Sequence, residues 1–156
     1  MIRNTDKWGQ GDDRMGIDGV WYNELGSCMT LKVDGNYLSG TYETPVGDAK
    51  GVYQVRGMRV PGADKSDEAL GFVVAWVNDL GSSSSVTSWS GQWQIVDGEE
   101  EINTTWLLTS EENPDDDWKS TLVGRDIFRR NKPSPKQAKV RAQRASVSEP
   151  KTQTQT

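Results

Sequence analysis

The chain has 156 residues, with 18 Lys and Arg against 23 Asp and Glu, a formal net charge of −5, no His, one Cys and seven Trp. Without His, and with Cys28 alone, a Ser-His-Asp triad, a Cys-His pair, an intramolecular disulfide and a His- or Cys-rich zinc site are all excluded. An enzyme built from this inventory has to run on carboxylates, Lys, Tyr or a borrowed cofactor, whereas Trp supplies binding surface.

Residues 1–18 are polar around an isolated Trp8 and are expected to be a flexible head. Met1–Gly16 is too polar for a signal peptide and no apolar run approaches the ~18 residues of a membrane span, so the chain is expected to be cytosolic or to have lost an export signal. From Gly19 the punctuation is regular. Turn signals fall at Asp34-Gly35, Pro45 to Asp48, Pro61 to Asp64, Gly81 to Ser85, Asp97-Gly98 and Asn113 to Asp117. The runs between them are rich in Val, Thr, Trp, Tyr and Leu, and none has a capped helical period. Strands are predicted over 19–23, 27–33, 36–43, 50–58, 69–77, 85–94, 99–109 and 119–129, the pattern of an antiparallel sandwich or barrel. An eight-stranded meander of this kind can close on itself and lose its edges. The folded domain is expected over 19–130. Beyond it, residues 131–156 carry six Lys and Arg against Glu149 alone, no aromatic residue and a Thr-Gln terminus. This segment is +5 and leaves −10 on the rest; it is expected to be a disordered basic tail, because it has too little apolar surface to offset its ordering entropy.

In a strand, residues two apart share a face. The sixth predicted strand puts Ser85, Thr87, Trp89, Gly91 and Trp93 together, and the third groups Leu38, Gly40, Tyr42 and Thr44. The seventh aligns Ile102, Thr104, Trp106 and Leu108. The eighth sets Leu122, Gly124, Asp126 and Phe128 against Lys119, Thr121, Val123, Arg125 and Arg129, and Trp21, Asn23, Leu25 and Ser27 share a register across a turn. The inner face therefore mixes Trp with Asn, Ser, Tyr, Thr and one Asp. An unpaired buried polar atom costs roughly 1–3 kcal/mol, so these groups either pair with each other and with water or await a ligand of apolar shape and rich hydrogen-bonding valence. Asp126 is the sharpest member, because a carboxylate on an apolar face is buried only with a partner.

Several strings on these strands carry a resemblance: Gly19-Val20-Trp21-Tyr22-Asn23, Leu25-Gly26-Ser27, Gly40-Thr41-Tyr42-Glu43, Ala75-Trp76, Thr87 to Gln92, Trp106 to Ser110, and Trp118 to Gly124 followed by Asp126 and Phe128. In order and at nearly gapless spacing, they resemble the avidin/streptavidin family, on the streptavidin side, over Gly19–Phe128. The resemblance implies an all-β, eight-stranded antiparallel up-and-down β-barrel that binds biotin without a cofactor. It implies donors to the ureido oxygen from Asn23, Ser27 and Tyr42, and acceptors for the ureido N–H groups at Thr44 and Asp126. Thr87 would lie near the thioether sulfur, within a cage of Trp76, Trp89, Trp106, Leu25, Val46 and Leu108. Ser85 and the backbone amide of Asp48 would meet the valeryl carboxylate. Trp118 would close the site of a neighbouring subunit in a homotetramer. The family further implies a secreted or periplasmic protein, and no nucleic-acid or membrane partner.

Asp48 stands where the streptavidin pattern has Asn, which predicts weaker or more salt-sensitive binding of a ligand carboxylate. Cys28 should point out of the barrel, toward solvent or a partner subunit. The run Asp115–Asp117 lacks the spacing of an EF-hand and is expected to be a solvated loop. Competing functions are a lectin or lipocalin-like carrier, since Trp with Asn and Asp also suits sugars, and a surface role for the basic tail. Glycoside hydrolysis needs a second inward carboxylate about 5–10 Å from Asp126, and the inner faces supply none.

Overall fold

Each connection joins a strand to its sequence neighbour, so the chain winds as an antiparallel meander that closes when the last strand returns to the first. A computed structural model describes residues 16–44, 51–63, 67–77 and 84–140. Its strands are β1 (Gly19–Tyr22), β2 (Cys28–Asp34), β3 (Tyr37–Glu43), β4 (Val52–Pro61), β5 (Asp67–Val77), β6 (Ser84–Val96), β7 (Glu99–Ser110) and β8 (Thr121–Arg129). The expected all-β, eight-stranded antiparallel barrel is the fold.

Two hairpins follow directly from their turn residues. Asp97 and Gly98 lie at φ 53° and 81° between the paired Val96 and Glu99, which suits a type I′ turn whose twist matches the flanking strands. Gly35, at φ 60°, leads the connection from Asp34 to Tyr37, as the first central residue of a type II′ turn does.

Between β7 and β8 the structure departs from expectation. Pro114–Lys119 forms a 3-10 helix, with Pro at its start and Asp115, Asp116 and Asp117 in its first turn. The acidic run thus sits at a helix start, where negative charge is favourable, instead of in an open loop. Lys119 belongs to this helix and pairs with Asp116 at 3.2 Å, so its predicted place on the β8 face is corrected.

Inward side chains alternate as the strands require. Trp21, Met29, Leu31, Leu38, Val55, Leu70, Phe72, Val74, Trp93, Ile102 and Phe128 are buried in one core. That core extends from the end of the barrel carrying the β2–β3, β4–β5 and β6–β7 connections up to Tyr42 and Trp89, which belong to the same cluster. Ile17, at the edge of the head expected to be flexible, is part of it: it is buried, and its carbonyl accepts the Trp21 indole N–H at 2.8 Å. Arg130 lies over the Trp21 ring at 3.6 Å from the centroid and binds Glu100 at 3.0 Å. Glu100 also accepts the Gly16 amide at 2.8 Å and the Trp93 indole at 3.2 Å. Burial raises the Glu100 carboxyl, but Arg130, the Gly16 amide and Trp93 outweigh it and hold the group below its ordinary range.

The first ten residues of the expected disordered tail also differ from the reading. Pro133 is buried beside Gly26, and residues 135–140 are helical. Ser134 and Gln137 cap this turn reciprocally: the Ser134 amide donates to Gln137 Oε1 at 2.9 Å and the Gln137 amide to Ser134 Oγ at 3.2 Å. This Ser-Pro-Lys-Gln capping box with Pro at the first helical position was present in the sequence as a local signal, although the composition hid it.

Candidate functional site

Toward the end of the barrel carrying the β1–β2, β3–β4, β5–β6 and β7–β8 connections, the inward positions change character. The β1–β2 turn is built by Asn23, whose Oδ1 accepts the amides of Leu25 at 3.1 Å and Ser27 at 2.9 Å. Gly26, at φ 86°, completes the reversal. This Asx geometry leaves the Asn23 Nδ2 facing inward, where it donates to the Tyr42 hydroxyl at 3.4 Å, and Ser27 Oγ donates to Thr44 Oγ1 at 3.4 Å. Asn23, Ser27, Tyr42 and Thr87 are buried.

Beside this polar floor stands a carboxylate. Asp126 Oδ2 accepts the Trp89 indole N–H at 2.8 Å, and the polar groups of Trp106 and Asn23 lie close enough to favour its charged form as well. Burial is the largest influence on Asp126 and pushes its carboxyl above the ordinary range, with the three donors offsetting only part of it. Tyr42 is likewise pushed well up by burial, and the Asp126 charge adds to this, so its hydroxyl remains a donor. The Asp126 backbone carbonyl accepts Thr104 Oγ1 at 3.0 Å, which fixes the strand beneath the side chain.

The walls are aromatic. Trp89 stacks between Tyr42, with centroids 5.4 Å apart, and Phe72, at 5.1 Å. Trp76 meets Tyr42 edge-on at 5.5 Å and Tyr53 at 5.0 Å, and its indole N–H donates to Thr87 Oγ1 at 2.7 Å. Trp106 lies directly over Gly124, its cross-strand partner; a Cβ there would come within 2.1 Å of the indole. Phe72, Tyr53 and Gly124 thus complete the cage without having been assigned to it. Alternation along Leu70, Phe72, Val74 and Trp76 would have found Phe72.

The structure brings Asn23, Ser27, Tyr42, Thr44, Thr87, Trp89 and Asp126 to this end of the interior. Trp76, Trp106, Leu108 and Ser85 follow, half-buried toward the open end. Leu25 departs from its predicted register and is 38% exposed, because the Glu24-Leu25 turn breaks the strand alternation. Trp118, on the 3-10 helix, is 82% exposed in the single chain. Val46 and Asp48 lie outside the described residues.

Among the described residues no buried side-chain nitrogen or oxygen lacks a hydrogen-bond partner. Mutual pairing therefore does satisfy the inward polar groups. Two of these pairings, however, are 3.4 Å long, where a hydrogen bond is weak, so a ligand with better geometry can replace them at little loss.

An up-and-down barrel filled at one end, with aromatic walls, a polar floor and one carboxylate toward the other, has the architecture of a β-barrel that holds a small ligand. Comparison with known proteins gives the family. A family model described as the avidin family matches residues 12–131. Avidin of Gallus gallus is 35% identical over 121 residues, covering 73% of this chain and 77% of that protein. Avidin-related protein 4/5 of Gallus gallus is 35% identical over 119 residues with the same coverage. Fibropellin-1 of Strongylocentrotus purpuratus is 34% identical over 116 residues, and the match spans only 11% of that much longer protein. The chain belongs to the avidin family.

Proposed function

We propose that this protein binds biotin non-covalently inside the barrel, as an extracellular homotetramer and without a cofactor. The observation that carries the reading is the meeting of Asp126 and Trp89, 2.8 Å apart, with the Asn23, Ser27 and Tyr42 floor. A cyclic urea has one strongly accepting oxygen flanked by two N–H donors. Asn23, Ser27 and Tyr42 are donors suited to that oxygen, and Thr44 and Asp126 are acceptors suited to the N–H groups. Thr87 would face the sulfur. Trp76, Trp89, Trp106 and Leu108, with Leu25 and Val46, would bury the rings and chain with little entropy lost, since the described walls are already packed. Ser85 and the Asp48 amide would receive the carboxylate. No covalent step is involved.

The outer surface supports the oligomer. Val73, Ser88, Leu107 and Val123 stand in one cross-strand row from β5 to β8, with Val73, Leu107 and Val123 exposed. Ala75, Val86, Thr109 and Thr121 form the next row. Two adjacent rows without a charge suit burial against a second copy, and the exposed Trp118 would reach a neighbouring subunit's site. Isothermal titration with biotin should give one site per chain, with quenching of Trp fluorescence and no response to simple sugars. Absence of detectable heat and quenching would overturn the reading.

A further inference from the structure

The seam between the first and last strands is the thinnest part of the barrel. β7 and β8 pair continuously from Glu101–Arg129 to Thr109–Thr121, whereas β1 and β8 share the single pair Tyr22–Arg129. In an antiparallel ladder this register would continue through Asn23 with Phe128 to Glu24 with Ile127. At that point the backbone has already turned away into the Asn23 reversal. Instead, the side chain of Glu24 reaches back, and its Oε1 accepts the Ile127 amide hydrogen. Each residue of this side-chain rung adjoins a member of the polar floor: Glu24 follows Asn23, and Ile127 follows Asp126. Asn23 in turn lies close enough to Asp126 to favour its charged form.

We infer that Glu24 is a positioning residue that replaces the missing backbone rung between β1 and β8 and thereby fixes Asn23 against Asp126, the two groups that meet a ligand from opposite sides of the seam. Without the rung, Tyr22–Arg129 is the last β1–β8 backbone pair before the β1–β2 turn, and the separation of donor and acceptor is free to drift. Burial pushes the Glu24 carboxyl above its ordinary range and the Asp126 charge adds to this, so the group is held in place against its solvation. The Ile127 amide and the backbone N–H of Glu24 itself are the hydrogen bonds that offset that burial. Glu24 need not touch the ligand, which separates it from the floor residues.

The inference rests on the biotin reading for one of its two readouts only. In the ligand-free protein, amide exchange at Ile127 and the indole N–H resonance of Trp89 report the rung and the Asp126 geometry. Glu24→Ala should speed Ile127 exchange by on the order of tenfold or more and move the Trp89 indole signal. Glu24→Gln keeps an acceptor oxygen at the same reach and should restore both. With biotin, Glu24→Ala should raise the dissociation rate by on the order of tenfold, and Glu24→Gln should return it close to the wild-type value. If Glu24→Ala does not fold, Glu24→Asp, one methylene too short to span the seam, takes its place. Unchanged Ile127 exchange overturns the inference. So does faster exchange with an unmoved Trp89 signal, which would make Glu24 a seam residue with no hold on the site. A wild-type chain that binds no biotin, while the ligand-free signals respond as expected, overturns the biotin reading and leaves the rung standing.

Discussion

The two ends of this barrel are built by the same alternation and differ in what their buried charges do. At the filled end, Glu100 is surrounded by Arg130, the Gly16 amide and the Trp93 indole, and its carboxyl is held below the ordinary range. At the site end, Asp126 and Glu24 are both pushed up by burial, and their donors offset only part of it. The filled end is organised for stability. The site end keeps a carboxylate in a position unfavourable to the empty barrel, and a ligand that supplies further N–H donors favours its charged form. The difference shows how a single fold holds one carboxylate below its ordinary range and another above it.

The largest test of this contrast is Trp21→Ala. It empties the centre of the plug and removes the platform beneath Arg130, and should lower unfolding stability by about 3–5 kcal/mol in denaturant titration. Asp126→Asn should do the reverse in kind. Removing the charge relieves the burial penalty and leaves or raises the unfolding midpoint, while biotin affinity falls by about 1.5–3 kcal/mol in calorimetry. Gly124→Ala should drive a methyl group into the Trp106 indole. A cost of about 1–3 kcal/mol is expected, together with a weakened ligand-induced fluorescence change, because the wall must tilt into the space it bounds.

The smallest and most discriminating test is acid titration of Glu100→Gln beside the parent. Glu100 is depressed when folded, so its contribution is present above its unfolded value, near 4.5, and is lost as pH falls through the lower folded value. Asp126 is raised when folded, so its penalty is present above the folded value, is relieved as pH falls through it, and is gone below the unfolded value near 3.8. The parent should therefore first gain and then lose stability from these two groups as pH falls. Glu100→Gln should start about 1 kcal/mol lower and lack its share of the acid loss. Biotin binding should weaken over the same range in which Asp126 takes up its proton.

Much of this was legible in the residues. Strand positions were found to within about three residues, because period-two alternation and Gly, Pro, Asn and Asp turns are local signals. Trp89 and Asp126 were placed on inner faces by parity alone, and the family strings assigned them to one site. Leu25 was missed where a turn broke the parity. Glu24 had no signal at all, because its role exists only once β8 has come round the barrel to a turn more than a hundred residues earlier in the chain. The short helix after Ser134 was missed because charge and low apolar content outweighed a capping box that was present.

By itself, then, the sequence determined which side chains face inward, where the chain turns, and that chemistry depending on His or paired Cys was out of reach. The tertiary structure decided which inward groups are neighbours: that Asp126 meets Trp89 over the intervening β7, that Trp106 rests on Gly124, and that Glu24 bridges a seam the backbone leaves open. The physical reason is closure. Alternation fixes the face of each residue within its own strand, while register and barrel closure set which residues meet across strands, and those distances appear only when the first strand and the last are side by side.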